Sequence, residues 1–163
     1  MIEANSPCGG THRGFGLIEL VVVMAIAAIL AMIAVPSYQS IIRKHSRQVA
    51  TRTLIELAAK QQGLRLQRRS YAANFKLLNG IDSTSFYIDR DANGSAEMTG
   101  DSIYEIKIVD VDTSGGITRD FSLQAIAVGA QVKDTSCATL KLTEQGKRSV
   151  ASGDGTVADC WKI

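Results

Sequence analysis

From Phe15 to Val35 the chain reads FGLIELVVVMAIAAILAMIAV, in which Glu19 is the single charged residue. At ~1.5 Å per residue this segment spans roughly 30 Å as a helix, about the hydrocarbon thickness of a bilayer. A core helix of a water-soluble domain carries a polar stripe, and Leu20 to Val35 has none. The segment therefore predicts a membrane-spanning helix. It fits a secretory signal poorly, because a small-residue cleavage site should follow the apolar run. Here Pro36, Ser37, Tyr38 and then a charged stretch follow it. The preceding Met1 to Gly14 is polar and ends in His12-Arg13-Gly14, so cleavage fits better on that side and leaves the apolar helix in the mature chain.

Glu19 is the exception that needs a reason. A carboxylate in a membrane segment is costly without a partner, which makes it a functional residue by default. The plainer alternative is that it lies near the interface and reaches toward the headgroups. Phe15 sits four positions earlier, on the same helical face. A cut after Gly14 would give Phe15 a free α-amino group, an obvious cation for a carboxylate.

Gly14-Phe15-Gly16-Leu17-Ile18-Glu19, the apolar run and Pro36-Ser37-Tyr38 together resemble the N-terminus of type IV pilins and the related pseudopilins. The resemblance implies that residues 1–14 are a leader removed by a prepilin peptidase between Gly14 and Phe15. It also implies that Phe15 becomes the N-methylated first residue. Glu19 would neutralise the terminal amine of a neighbouring subunit during assembly, and Pro36 would kink or melt the helix. Gly16 departs from the family pattern, where a polar residue is commoner. Cys8 lies in the leader and needs no partner.

The formal net charge of +2 excludes a generally basic protein, yet it conceals an uneven distribution. Residues 37–69 continue the helical pattern, with Ala50, Leu54, Leu57, Ala58 and Leu64 forming one apolar stripe suited to pack on a sheet. The other faces carry Arg43, Lys44, Arg47, Arg52, Lys60, Arg65, Arg68 and Arg69 against Glu56 alone. Such a cluster reads as a juxtamembrane basic segment, a solvated or inter-subunit face in a filament, or an electropositive track for DNA. Because the following domain must be exported, the filament face is the favoured reading. Residues 70–163 are net acidic, with nine basic against 13 acidic side chains.

In that C-terminal part, Tyr71 to Asp101 reads as a loop region rich in Asn, Gly, Ser and Asp. Strand patterns follow at 103–109, at 117–128 with Phe121, Leu123, Ala125 and Ala127 on one face, and at 137–142; Gly146 begins a return. The expected fold is α+β: a long N-terminal helix, membrane-spanning over 15–36 and amphipathic over 37–69. It packs on an antiparallel meander within a 70–163 head. Cys137 and Cys160, an even pair in an exported domain, read as a disulfide worth ~3 kcal/mol in the chain-entropy model; two unpaired buried cysteines are the alternative. The run Cys137, Leu140, Leu142, Gly146-Lys147 and Cys160-Trp161 also resembles the C-terminal pattern of PilE-like minor pilins of Gram-negative bacteria, with 137–160 as a cystine-bounded loop.

Two further sites are expected at lower specificity. Asp89, Asp91, Asn93 and Gly94 follow the start of an EF-hand loop, with Glu97 and Asp101 as additional oxygen donors for Ca2+. Gly100 occupies the twelfth position, where that loop needs a bidentate glutamate, and Asp and Asn turns look the same for conformational reasons. No other cofactor is expected. Lys133, Lys141, Lys147 and Arg148 form a candidate DNA patch near the cystine.

The residues offer no catalytic constellation and no nucleotide loop, so an enzyme is not expected. The resemblance implies a minor structural subunit of a type IV pilus, with a major subunit as the alternative, held in the inner membrane with a periplasmic head and then displayed outside the cell. Its partners would be other pilin subunits in a helical filament, serving pilus biogenesis, twitching motility, adhesion or DNA uptake. A DNA-binding uptake receptor and a type II secretion pseudopilin are the competing readings.

Overall fold

The computed structural model describes residues 16–162. One helix, α1 (Leu17–Arg68), takes up 52 of them. The chain divides into two compact units that meet between Gln39 and Ser40.

The first unit is the N-terminal part of α1. Every described residue up to Gln39 is exposed, including Leu20, Val21, Met24, Ile29, Leu30 and Ile33. By length and composition α1 can cross a membrane. Pro36, expected to kink or melt the helix, lies inside α1, which continues through it. A proline still lacks the N–H that the carbonyl four residues earlier, that of Met32, would accept.

The second unit is built on the rest of α1. Ser46, Ala50, Thr51, Leu54, Leu57 and Gln61 are buried, a spacing that places them on one helical face. The expected stripe of Ala50, Leu54 and Leu57 lies in the core; Leu64 only packs against it. After α1 come the one-turn helix α2 (Lys76–Asn79) and the strands β1 (Ser85–Ile88) and β2 (Gly94–Ser95). Then follow β3 (Tyr104–Ser114), β4 (Ile117–Ala127), β5 (Thr139–Thr143), β6 (Arg148–Ser152) and the one-turn helix α3 (Val157–Cys160). The six strands form one sheet in the order β2-β1-β3-β4-β5-β6, and each neighbouring pair is antiparallel.

Alternation along the strands separates two faces. Phe86, Ile88, Tyr104, Ile106, Ile108, Phe121, Leu123, Ala125, Leu140 and Leu142 are buried with the α1 stripe in one core. Glu105, Lys107, Gln124 and Lys141 fall on the alternate positions and stay partly exposed. Tyr71 meets Phe121 edge-on at 4.7 Å between ring centroids, and Phe75 meets Phe86 in the same way at 4.7 Å.

The 71–101 region holds more regular structure than its composition suggested. Burial of Phe75, Leu78, Phe86 and Ile88 orders a turn of helix and a four-residue strand inside a polar, turn-rich stretch. Strand β3 runs to Ser114 because the ladder shifts register between Val109 and Asp112, where Asp110 takes a φ of 51°. Such a bulge admits an extra residue without ending the pairing. Cys137 belongs to a 3-10 turn (Thr135–Cys137), so β5 starts at Thr139.

Candidate functional site

Gly14 and Phe15, the expected processing site, lie outside the described residues. Glu19 sits in the first turn of α1, where its N–H donates to the carbonyl of Gly16 at 3.1 Å. A carboxylate there complements the positive end of the helix dipole. Among the described residues no side chain forms an ion pair with Glu19, and the apolar surface around it is uncovered. That surface can be satisfied by hydrocarbon or by like helices.

In the second unit, a polar cluster ties α1 to the connection between β4 and β5. The guanidinium of Arg47 grips both carboxylate oxygens of Asp134. Their side chains are 16 % and 2 % exposed. Gln131 Nε2 donates to Asp134 Oδ2 at 3.0 Å and reaches Tyr104 Oη and the carbonyl of Arg43, both at 3.2 Å. The Asp134 bond raises the Arg47 pKa further above its usual value. Burial pushes the Tyr104 phenol up to about 12. Lower on the helix, Gln61 donates to the carbonyl of Ala72 at 2.9 Å and accepts from its N–H at 2.8 Å. None of these contacts was anticipated. The one available signal was the amphipathic helix itself, which carries Arg47 and Gln61 beside its apolar stripe.

The expected disulfide is present. Cys137 and Cys160 are bonded with their Cα atoms 5.7 Å apart, and both are buried. The bond joins the 3-10 turn after Asp134 to α3, whose N-cap Thr156 accepts from the N–H of Asp159. The intervening backbone is drawn in closely: the N–H of Gly155 donates to the carbonyl of Ser136 at 2.8 Å. A Cβ on Gly153, at φ +125°, would lie 2.3 Å from that same oxygen. Between this cystine and α1 opens a groove of about 460 Å³, lined by Lys44 and Arg47 from the helix and by Ser136, Asp159 and Lys162 opposite.

The basic residues expected to bind DNA do not form one patch. Lys141 lies on the outer sheet face and pairs with Asp110 at 2.5 Å. Arg148 is opposite Leu142 in the ladder, on the other face, and its guanidinium lies 5.6 Å from the Trp161 ring centroid. Cross-strand partners share a face and adjacent positions alternate, so Lys141 and Arg148 point to opposite sides. Lys133 and Lys147 are exposed on separate connections.

The expected calcium ligands are also differently engaged. Asp89 Oδ1 accepts the backbone N–H groups of Asp91 and Asn93, each at 2.9 Å, and Oδ2 accepts Asn93 Nδ2 at 2.9 Å. These bonds, that of the Asn93 side chain first, hold its pKa below the usual carboxylate range. Asp89 thus folds its own turn. Asp91, Glu97 and Asp101 do not converge with it: among the described residues no three metal-binding His, Cys, Asp or Glu side chains come together.

Comparison with known proteins places these features. Residues 36–141 match the model for the type IV minor pilin ComP, DNA uptake sequence receptor, and residues 10–35 match the prokaryotic N-terminal methylation motif. Fimbrial protein Q of Moraxella bovis is 31 % identical over 81 % of this chain and 68 % of its own length. The type IV major fimbrial protein FimA of Dichelobacter nodosus is 33 % identical over 73 % of this chain and 68 % of its own. Fimbrial protein EcpC of Eikenella corrodens is 30 % identical, with 75 % and 71 % covered.

Proposed function

This chain belongs to the type IV minor pilin family, and we propose that it is inserted in the inner membrane through α1 and then drawn into the pilus, where its second unit is displayed. The observation that carries this reading is the uncovered apolar surface of α1 up to Gln39, beside a second unit with a complete core of its own. In lipid that surface is an anchor; in a filament the same side chains pack on neighbouring helices.

Processing by a prepilin peptidase between Gly14 and Phe15 would leave the terminal amine on the face of Glu19, one helical turn away. The match to the methylation motif over residues 10–35 supports this step. Glu19 then meets the amine of a neighbouring subunit, and the charge is paired only in the assembly. The decisive experiment is a deletion strain scored together for surface pili, twitching and DNA uptake. Loss of all three supports a role in assembly; absence of the protein from sheared pili of the parent strain overturns its place in the filament.

A second reading, that the displayed unit is a DNA uptake receptor, is favoured by the description of the matched family. Lys133, Lys147 and Arg148 are exposed on this unit and accessible to phosphates. Retained pili with lost uptake would promote this reading. Salt-dependent DNA binding by the full-length protein, weakened by neutralising these three, would localise it.

A further inference from the structure

We propose that the groove between α1 and the cystine binds the phosphate of an anionic phospholipid while the subunit is held in the membrane. This rests on the reading of the chain as a membrane-anchored pilus subunit. The observation behind it is a charge distribution that membrane insertion alone leaves unexplained. Basic residues flanking a membrane helix ordinarily collect on the cytoplasmic side. Here Arg13 is the only Lys or Arg before Phe15, whereas Arg43, Lys44, Arg47 and Arg52 follow soon after Val35. With the second unit exported, these cations stand on the side where orientation does not call for them. Anionic headgroups are the nearest counter-charge there.

Spacing along α1 brings the groove within reach of that layer. Lys44 is nine residues past Val35, roughly 14 Å of helix, and the headgroup region extends about 5–8 Å beyond the hydrocarbon. Helical side chains lean toward the N-terminus, so the long lysine stem carries its ammonium back toward the membrane. Between the two, Tyr38 and Ile41 are 65 % and 60 % exposed. A tyrosine at that level suits the interface, and the apolar character does not stop at Pro36.

The groove offers a phosphate several donors. Lys44 is exposed and, among the described residues, forms no salt bridge. Lys162 is held only by exposed Asp159, at 3.3 Å. Arg47 gives two of its five N–H donors to Asp134, and Gln48 and Ser136 add to the polar wall. Asp159 is the carboxylate of the lining, and its oxygens already accept from the Thr156 hydroxyl and from Lys162. The exposed carboxylates of residues 89–101 lie toward the other border of the sheet, at β2, while the groove lies beside β6. A DNA duplex needs cations spaced along several phosphates. This compact site, close to an apolar helix, suits one phosphodiester whose acyl chains stay in the bilayer.

The test uses full-length protein in nonionic detergent with equal phosphatidylglycerol and phosphatidylcholine of the same acyl chains, read by native mass spectrometry. One phosphatidylglycerol per chain should be retained, about fivefold or more over phosphatidylcholine. Lys44→Gln with Lys162→Gln should abolish the preference, and Lys44→Arg with Lys162→Arg should keep it. Arg52→Gln with Arg68→Gln removes the same charge elsewhere on α1 and should leave the preference intact. No preference in the native protein, or equal loss in both glutamine pairs, overturns the proposal. Inorganic phosphate at the lipid's concentration should not displace it; displacement would assign the site to free phosphate. Displacement by a short DNA duplex would assign it to nucleic acid, and either result overturns the lipid. Alkaline extraction of cell membranes keeps the anchor reading separate. Native protein that stays in the membrane without a lipid preference sinks the site alone; native protein that is extracted sinks the anchor.

Discussion

Arg47 and Asp134, far apart in sequence, meet as a two-point ion pair inside the second unit, with the Asp134 side chain almost completely buried. A carboxylate in that position is tolerable only because the guanidinium and the Gln131 amide satisfy it. Removing one partner leaves the other charge buried. Arg47→Ala should therefore lower the stability of the second unit by about 3–5 kcal/mol. Arg47→Lys should lose less, since it keeps the charge but not the fork. Thermal unfolding of the full-length protein followed by near-ultraviolet circular dichroism reads the difference.

Tyr104 gives the unit a specific alkaline weakness. Its phenol ionises near 10 in an unfolded chain, and burial raises this to about 12 in the fold. Between those values the folded state holds a proton that the unfolded state has lost, so stability falls as pH rises. The contribution is whole below pH 10, and roughly 2–3 kcal/mol is lost by pH 12. Denaturant midpoints measured at pH 9 and pH 11.5 should fall more steeply for the native protein than for Tyr104→Phe. Parallel curves would remove Tyr104 from the account.

At the cystine, the backbone itself sets the constraint. Gly153 combines a left-handed φ with a carbonyl where its Cβ would be. Gly153→Ala should cost roughly 1–3 kcal/mol through strain and displacement of the Ser136 carbonyl. Gly146 also has a positive φ, +79°, but faces open space, so Gly146→Ala should cost no more than about 1 kcal/mol. Comparing their melting temperatures separates crowding from backbone preference.

Glu19→Ala should leave membrane insertion intact, because it removes a costly charge from an apolar helix. Incorporation into pili should fall sharply, with Glu19→Asp recovering part of it. Immunoblots of membrane and sheared-pilus fractions report the two steps separately. Normal incorporation of Glu19→Ala would refute charge pairing in trans.

The long helix, its apolar stripe at Ala50, Leu54 and Leu57, the central strands and the Cys137–Cys160 bond were legible in the sequence. Each rests on a pattern carried by several residues at a fixed period, or on a pairing with one choice. What escaped was set by tertiary contact. Strand β1 is too short and too closely bounded by turn residues for Phe86 and Ile88 to declare a period. The four basic residues near the cystine look like neighbours in sequence, but Lys141 and Arg148 are divided between faces by their ladder positions. Asp89 has the composition of a calcium loop because the same side chain that could bind an ion can cap its own turn. Arg47 gave no sign of leaving the solvated basic face, since its partner Asp134 comes from a distant connection.

The uncovered helix up to Gln39 also governs how reversible the subunit's transfer is. Moving it from lipid to a bundle of helices exchanges one oily surrounding for another, so little hydration free energy separates the two states. On the proposed assembly the balance would fall on tight side-chain contact and on the pairing of Glu19 with an amine. A subunit held on such terms can return to the bilayer intact, and the direction of transfer can be governed by work done on the filament.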